Sequence, residues 1–243
     1  MNKKIIIYSE LTYLPGLLFL ALGTALTEKA AFGMSMVVAP AYVVYQFVSR
    51  SISWFTFGMA EYMLQAVLIV LLSLVLRKFR PGYLFSFVTA VIYGLLLDLM
   101  MKLTGPLTAG SLAVRMVLFG CGLVLCALGV ALLYHTYIPP EAYELIVKEV
   151  VARYGFALAR TKTVYDCLSC AAAILLSFLF FGFGTFVGVG PVTIFCAAVN
   201  GRLINRFSVL LEKMCEFPDR FNGKHFFTSR RGVHRKFTLL SYR

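Results

Sequence analysis

Two glycines, each four positions ahead of a polar side chain, stand inside apolar runs: Gly94 with Asp98 in "YGLLLDLM" and Gly201 with Asn205 in "NGRLINRF". A charge at mid-bilayer costs about 2.5–3.5 kcal/mol on insertion scales, so such groups face a cavity or a partner. Asp98 and Arg202 are therefore the first candidates for chemistry, with Asn200 and Asn205 on the turns beside Arg202. Glu61 and Asp166 open two further apolar runs, Gln65 lies one turn beyond Glu61, and Lys162 can pair with Asp166 at helical i,i+4 spacing. Both carboxylates fall near a helix N-terminus, where the macrodipole favours negative charge. A structural role there and a role in proton or ion coupling both stand open. The set Asp98, Arg202, Asn200, Asn205, Glu61, Gln65 and Asp166 suits binding of a compact ligand, zwitterionic or anionic.

Other chemistries lack their residues. His135, His225 and His234 fall in loops or the tail, and Cys167-x-x-Cys170 has no second cysteine pair and no histidine near it. No nucleophile–base constellation, phosphate loop or dinucleotide fingerprint is present; the glycines of "GFGTFVGVG" follow a membrane run rather than a strand. We expect no enzyme activity, no metal and no cofactor.

The elements that must hold these residues are membrane spans. The chain has 243 residues, 60% of them hydrophobic and 14% charged, with mean hydropathy +0.84. A soluble domain carries about 25% charged residues. Runs at 5–26, 57–76, 83–103, 112–134, 163–183 and 188–211 approach or exceed the ~20 apolar residues that cross a bilayer. The first run follows "MNKK" but lacks a small-residue cleavage motif, so it reads as a retained span rather than a signal peptide.

Net charge is +12, and its distribution gives an orientation. Lys3 and Lys4, the Arg77–Lys78–Arg80 group, Lys148, Arg153, Arg160 and Lys162, and the tail fall on one side if six spans cross and both termini share that side. The positive-inside rule makes that side the cytoplasm. Lys29, Arg50, Lys102 and Arg115 are left outside, Arg115 as an interfacial anchor. A seventh crossing at 35–48 would carry the Arg77–Arg80 group out and is disfavoured.

The chain is also doubled. "ALGTAL" from Ala21 recurs as "ALGVAL" from Ala127, displaced by 106, and "LLSLVL" from Leu71 recurs as "LLSFLF" from Leu175, displaced by 104. The Gly94–Asp98 and Gly201–Asn205 stretches are displaced by 107. An odd number of crossings per copy makes the repeats inverted, as in many secondary transporters, whose substrate sites lie at the repeat interface. The expected architecture is an all-α polytopic membrane protein: a first repeat (1–106), an inverted second repeat (107–212) and a basic tail (213–243). Asp98 and Arg202, on copies of one helix, then have the opportunity to pair near the pseudo-twofold.

Each repeat holds a short helix after its first span. The segment 35–48 is apolar, contains Pro40 and is too short to span comfortably, so a re-entrant or interfacial helix fits. The segment 139–154 is amphipathic, with Tyr143, Ile146, Val147, Val150 and Tyr154 on one stripe and Glu141, Glu144, Lys148 and Arg153 facing away. It is expected to lie flat on the cytoplasmic surface, with Glu144 and Lys148 paired, or to cap a re-entrant gap.

The motifs "ALGTALTEKAAFGMS", "IPPEAYELIVKEVVARYGFALARTKTVYD" and "GVGPVTIFCAAVNG" make positions 14 to 211 resemble the YczE/YitT-type integral membrane proteins of bacteria, especially the six-span YczE-like branch. Gly190-Pro191 and Gly201-Arg202 depart from that pattern. The resemblance implies a multi-pass bacterial inner-membrane protein of permease type and supplies no substrate.

The tail from Lys213 interleaves eight Lys/Arg with five phenylalanines. Beneath a bilayer, Arg230, Arg231, Arg235 and Lys236 are expected to bind anionic lipid headgroups at about 1 kcal/mol per residue, rather than nucleic acid. The function expected is secondary transport of a small molecule, with a proton or ion gradient as the energy source because the chain has no ATP site. A non-transporting membrane partner, and a substrate-binding subunit served by separate ATPases, remain as alternatives.

Overall fold

The computed structural model describes residues 5–32, 35–107 and 110–218. It is all-α, with eight α-helices among the described residues: α1 (Tyr13–Ala30), α2 (Ala39–Val48), α3 (Phe57–Leu76), α4 (Phe85–Leu103), α5 (Leu112–His135), α6 (Ala142–Tyr154), α7 (Leu158–Phe181) and α8 (Pro191–Met214). Six of them, all but α2 and α6, are long and apolar enough to cross a membrane. Much of their surface is exposed leucine, valine and phenylalanine, as Leu74, Leu95, Leu175 and Leu179 illustrate. That surface has a favourable solvent only in lipid.

Helix ends follow local chemistry. Thr56 and Ser111 accept hydrogen bonds from the amides of Met59 and Val114, both at 3.3 Å, at the starts of α3 and α5. Arg115 reaches back to the carbonyls of Ala30 and Ala31 at 2.8 Å each. It thus neutralises the negative end of α1, a more specific task than interfacial anchoring. A two-residue parallel pairing joins β1 (Ile5–Ile6) to β2 (Cys215–Glu216), so the chain before α1 and the chain after α8 meet on one side of the bundle.

The centre is an α1–α5 crossing built on glycine. Gly16 meets Gly129 and Gly23 meets Gly122, so the two helices run antiparallel with their backbones in contact. Without a hydrophobic driving force in lipid, close backbone approach through small residues is what holds spans together. Gly122 and Gly129 stand 106 positions after Gly16 and Gly23. The contacts are therefore reciprocal: Gly16 meets the glycine 106 positions after Gly23, and Gly23 meets the glycine 106 positions after Gly16. Leu17, Leu20, Ala127, Val130 and Leu133 fill the rest of this core.

Around that axis, α4 packs on α1 and α8 on α5, while α2 and α6 each lie between α3 and α7. One pairing breaks the correspondence. α7 and α8 are closely packed, with Gly201 against Ala159 and Thr163, whereas α3 and α4 barely touch and Gly94 has open space beside it.

The second short helix departs from one of its two expected placements, the flat surface one. α6 does not lie on the surface: Glu141, Glu144, Lys148 and Glu149 are all buried, and Tyr154 at the end of the apolar stripe is exposed. Glu144 pairs with Lys162 rather than Lys148. Lys148 donates to the carbonyls of Thr136 and, at 3.1 Å, Leu133, closing the C-terminal end of α5. Glu149 accepts from the Tyr83 hydroxyl at 3.1 Å and lies 3.8 Å from Arg80. Apart from exposed Arg153, the charged face turns inward instead of to water.

Candidate functional site: a charged cavity between the two halves

α7 begins at Leu158, five residues before the run read from sequence, so Lys162 and Asp166 lie inside a helix, both 0% exposed. Their i,i+4 spacing brings Lys162 Nζ to 3.0 Å from Asp166, as the sequence suggests. The same ammonium lies 2.5 Å from Glu144 of α6. Tyr134 of α5 donates its hydroxyl to Glu144, and Asn200 Nδ2 of α8 donates to Asp166 at 3.4 Å. One lysine thus serves two carboxylates, leaving the cluster one negative charge in excess.

A second network adjoins it. Tyr143 of α6 donates its hydroxyl to Glu61 of α3, and Gln65 Nε2 donates back to that hydroxyl at 3.3 Å. Because the Tyr143 proton is committed to Glu61, the amide nitrogen of Gln65 must face the hydroxyl and its oxygen must face away. Glu141, the residue immediately before α6, is 5% exposed, and its Oε1 has no hydrogen-bond partner. Burial, with Glu61 and Glu144 nearby, pushes the Glu141 carboxyl well above the ordinary carboxylate range. Burial likewise raises Glu149 and lowers the Lys148 ammonium to about 7.

Both networks open on one cavity of about 380 Å³, within the usual range for small-molecule sites. Its floor is Glu141, Tyr143, Glu144, Lys162 and Asn200; its walls include Glu61, Gln65, Tyr62, Tyr93 and Gly94; Glu28, Phe57 and Asp98 lie where α1 and α4 end and α3 begins. It occupies the gap between α3 and α4 and extends toward the side opposite the paired termini.

Of the residues singled out from sequence, Glu61, Gln65, Asn200 and Asp98 line this cavity, and Asp166 sits behind it on Lys162. Arg202 is exposed on α8, and neither it nor half-buried Asn205 reaches the cavity. The Asp98–Arg202 pair does not form: α4 packs on α1 and α8 on α5 and α7, which keeps the two side chains apart. Arg230, Arg231, Arg235 and Lys236 lie outside the described residues. Glu141, Glu144 and Tyr143 were missed as site residues. The available signal was three glutamates within "PPEAYELIVKE", read as a solvated face.

Six long apolar helices around a buried ionisable cluster define a polytopic integral membrane protein. The chain belongs to DUF6198, a family of unknown function, which matches residues 7–209. It is similar to a protein of Bacillus subtilis (strain 168) described as "Uncharacterized protein YyaS", 28% identical over 202 residues that cover 82% of this chain and 91% of the relative. These matches name neither YczE nor YitT, and no solved structure matches.

Proposed function

We propose that the protein is a small-molecule secondary transporter of permease type, built from two inverted repeats, with the central cavity as its substrate site. The YczE/YitT-type resemblance agrees with this reading. The observation that carries it is the asymmetry between the copies. α7 and α8 are shut at Gly201 while α3 and α4 are parted at Gly94, the position 107 residues earlier. Two copies of one unit holding two conformations at once is the arrangement in which exchanging them moves a cavity from one side to the other. The glycine-lined α1–α5 crossing is the axis about which that exchange would turn.

By the positive-inside rule, the distribution of Lys and Arg supports cytoplasmic termini in a bacterial cell and an outward-facing opening. With cytoplasmic termini, the basic residues after α8 would meet anionic headgroups. Buried carboxylates in the cavity are the groups through which a proton or ion gradient would drive transport.

The test is solute-induced current or uptake in proteoliposomes across a broad solute panel, for wild type and Gly94→Leu. A Cβ on Gly94 meets nothing within 4 Å, so the variant is expected to fold and incorporate normally yet to lose flux. Wild-type protein that moves no solute, or Gly94→Leu moving one as fast as wild type, would overturn the reading; the first outcome favours the membrane-partner alternative.

A further inference from the structure

We infer that the cavity takes a small organic cation carrying N–H donors, an alkylammonium or guanidinium group, held by Glu141 with Gln65 and Asn200. This rests on the cavity being the ligand site proposed above. Three buried side-chain oxygens on the cavity have no hydrogen-bond partner: Gln65 Oε1, Glu141 Oε1 and Asn200 Oδ1, on residues 1%, 5% and 8% exposed. The amide orientations are fixed by their other bonds, Gln65 to the Tyr143 hydroxyl and Asn200 to the Asp166 carboxylate. Buried polar atoms are nearly always satisfied. What these three lack is a donor, and the charged and hydroxyl donors beside them are directed elsewhere. Lys162 is committed to Glu144 and Asp166, and Tyr143 to Glu61.

Electrostatics point the same way. Glu28, Glu61, Asp98, Glu141 and Glu144 line the cavity against one lysine. The opposing influence is the N-terminal ends of α2, α3 and α6, since Val38, Phe57 and Glu141 at those ends all line it. Each helix end is equivalent to about +0.5 charge, so three of them do not reverse an excess of carboxylates, and a cation seated on Glu141 offsets the burial that otherwise raises its carboxyl. Arg202, the residue that would have favoured an anion, lies elsewhere. Phe57, Tyr62 and Tyr93 supply aromatic faces suited to an organic cation. A cavity of about 380 Å³ is far larger than a bare monovalent ion requires.

The experiment is a thermal-shift titration of the full chain in detergent with six salts: methylguanidinium, ethylammonium and tetramethylammonium chlorides, potassium chloride, sodium acetate and sodium phosphate. Methylguanidinium or ethylammonium is expected to stabilise saturably, because a ligand that binds only the folded state raises its apparent stability. Tetramethylammonium, which has no N–H, and both sodium salts should do no more than potassium chloride at equal ionic strength. Glu141→Gln should weaken binding by about tenfold or more, the usual worth of a hydrogen bond to a charged group, and Arg202→Gln should leave it unchanged. If Glu141→Gln does not fold, Gln65→Met removes a second acceptor and should weaken the same titration. Stabilisation by acetate or phosphate, an equal response to potassium, or undiminished binding in the acceptor variants would overturn the proposal. Cation binding without flux of any solute would remove the transport reading alone; flux of an anion with no cation response would remove this inference alone.

Discussion

A Cβ atom on Gly23 would stand 2.7 Å from the carbonyl oxygen of Gly122, and one on Gly122 would stand 2.7 Å from that of Gly23. Neither helix can yield locally, because the obstacle on each side is backbone. Gly23→Leu is therefore expected to force α1 and α5 apart and to destabilise by at least the ~1–3 kcal/mol of ordinary overpacking. Gly120→Ala, on α5 with nothing within 4 Å, should be neutral or stabilising by up to about 1 kcal/mol. Unfolding temperatures of the two variants in one detergent check this. Equal behaviour would remove the close crossing.

Lys162→Met should be among the most damaging single changes outside the crossing. It strands Glu144 and Asp166 in a region where neither is solvated. Removing one partner of a buried pair costs about 3–5 kcal/mol. Adding Asp166→Asn relieves one of the two stranded charges, so the double variant should recover stability over Lys162→Met. A double variant no more stable than the single one would show that the carboxylates are held by something other than the lysine.

The Lys148 ammonium, lowered to about 7 by burial from its ordinary 10.5, gives a pH signature. Between those values the unfolded chain binds the proton and the folded chain does not, so this group makes stability rise with pH across that window. The slope is at most about 1.4 kcal/mol per pH unit. Wild type should gain on Lys148→Met as pH increases from about 7 to 9. Parallel melting curves for the two proteins across that range would contradict it.

Removing residues 219–243 should abolish whatever preference the protein has for anionic lipid. Full-length protein is expected to be stabilised more by phosphatidylglycerol than by phosphatidylcholine, with the difference shrinking as salt rises. The truncated chain should respond to both alike. A salt-insensitive preference retained after truncation would place lipid recognition in the bundle.

The spans were legible because a membrane helix is announced by length and composition alone: 57–76 read from sequence is α3 to the residue. ALGTAL and ALGVAL each carry a glycine of the crossing, although the packing role of these glycines was not visible until Gly23 was seen against Gly122. The site was harder. Lys162–Asp166 could be read as a local pair, since i,i+4 spacing needs no tertiary knowledge. Glu141 and Glu144 could not, because an amphipathic pattern records two faces without saying which is wet. Asp98 and Arg202 were paired by repeat symmetry, but the contacts across the interface belong to α1 and α5, not to α4 and α8.

The exchange of conformations between the copies is the central claim, and one cross-link tests it most directly. Gly201 now packs on Ala159 and Thr163; displaced by 107 and 104 residues, those positions become Gly94, Phe55 and Met59. A Met59→Cys/Gly94→Cys pair, in a chain whose six native cysteines are replaced, is apart in the present state. During turnover in proteoliposomes the pair is expected to close to disulfide range, Cα atoms within about 7 Å, and its oxidation should arrest flux reversibly. Persistent flux with this pair never cross-linking under any condition would contradict alternation between the two halves.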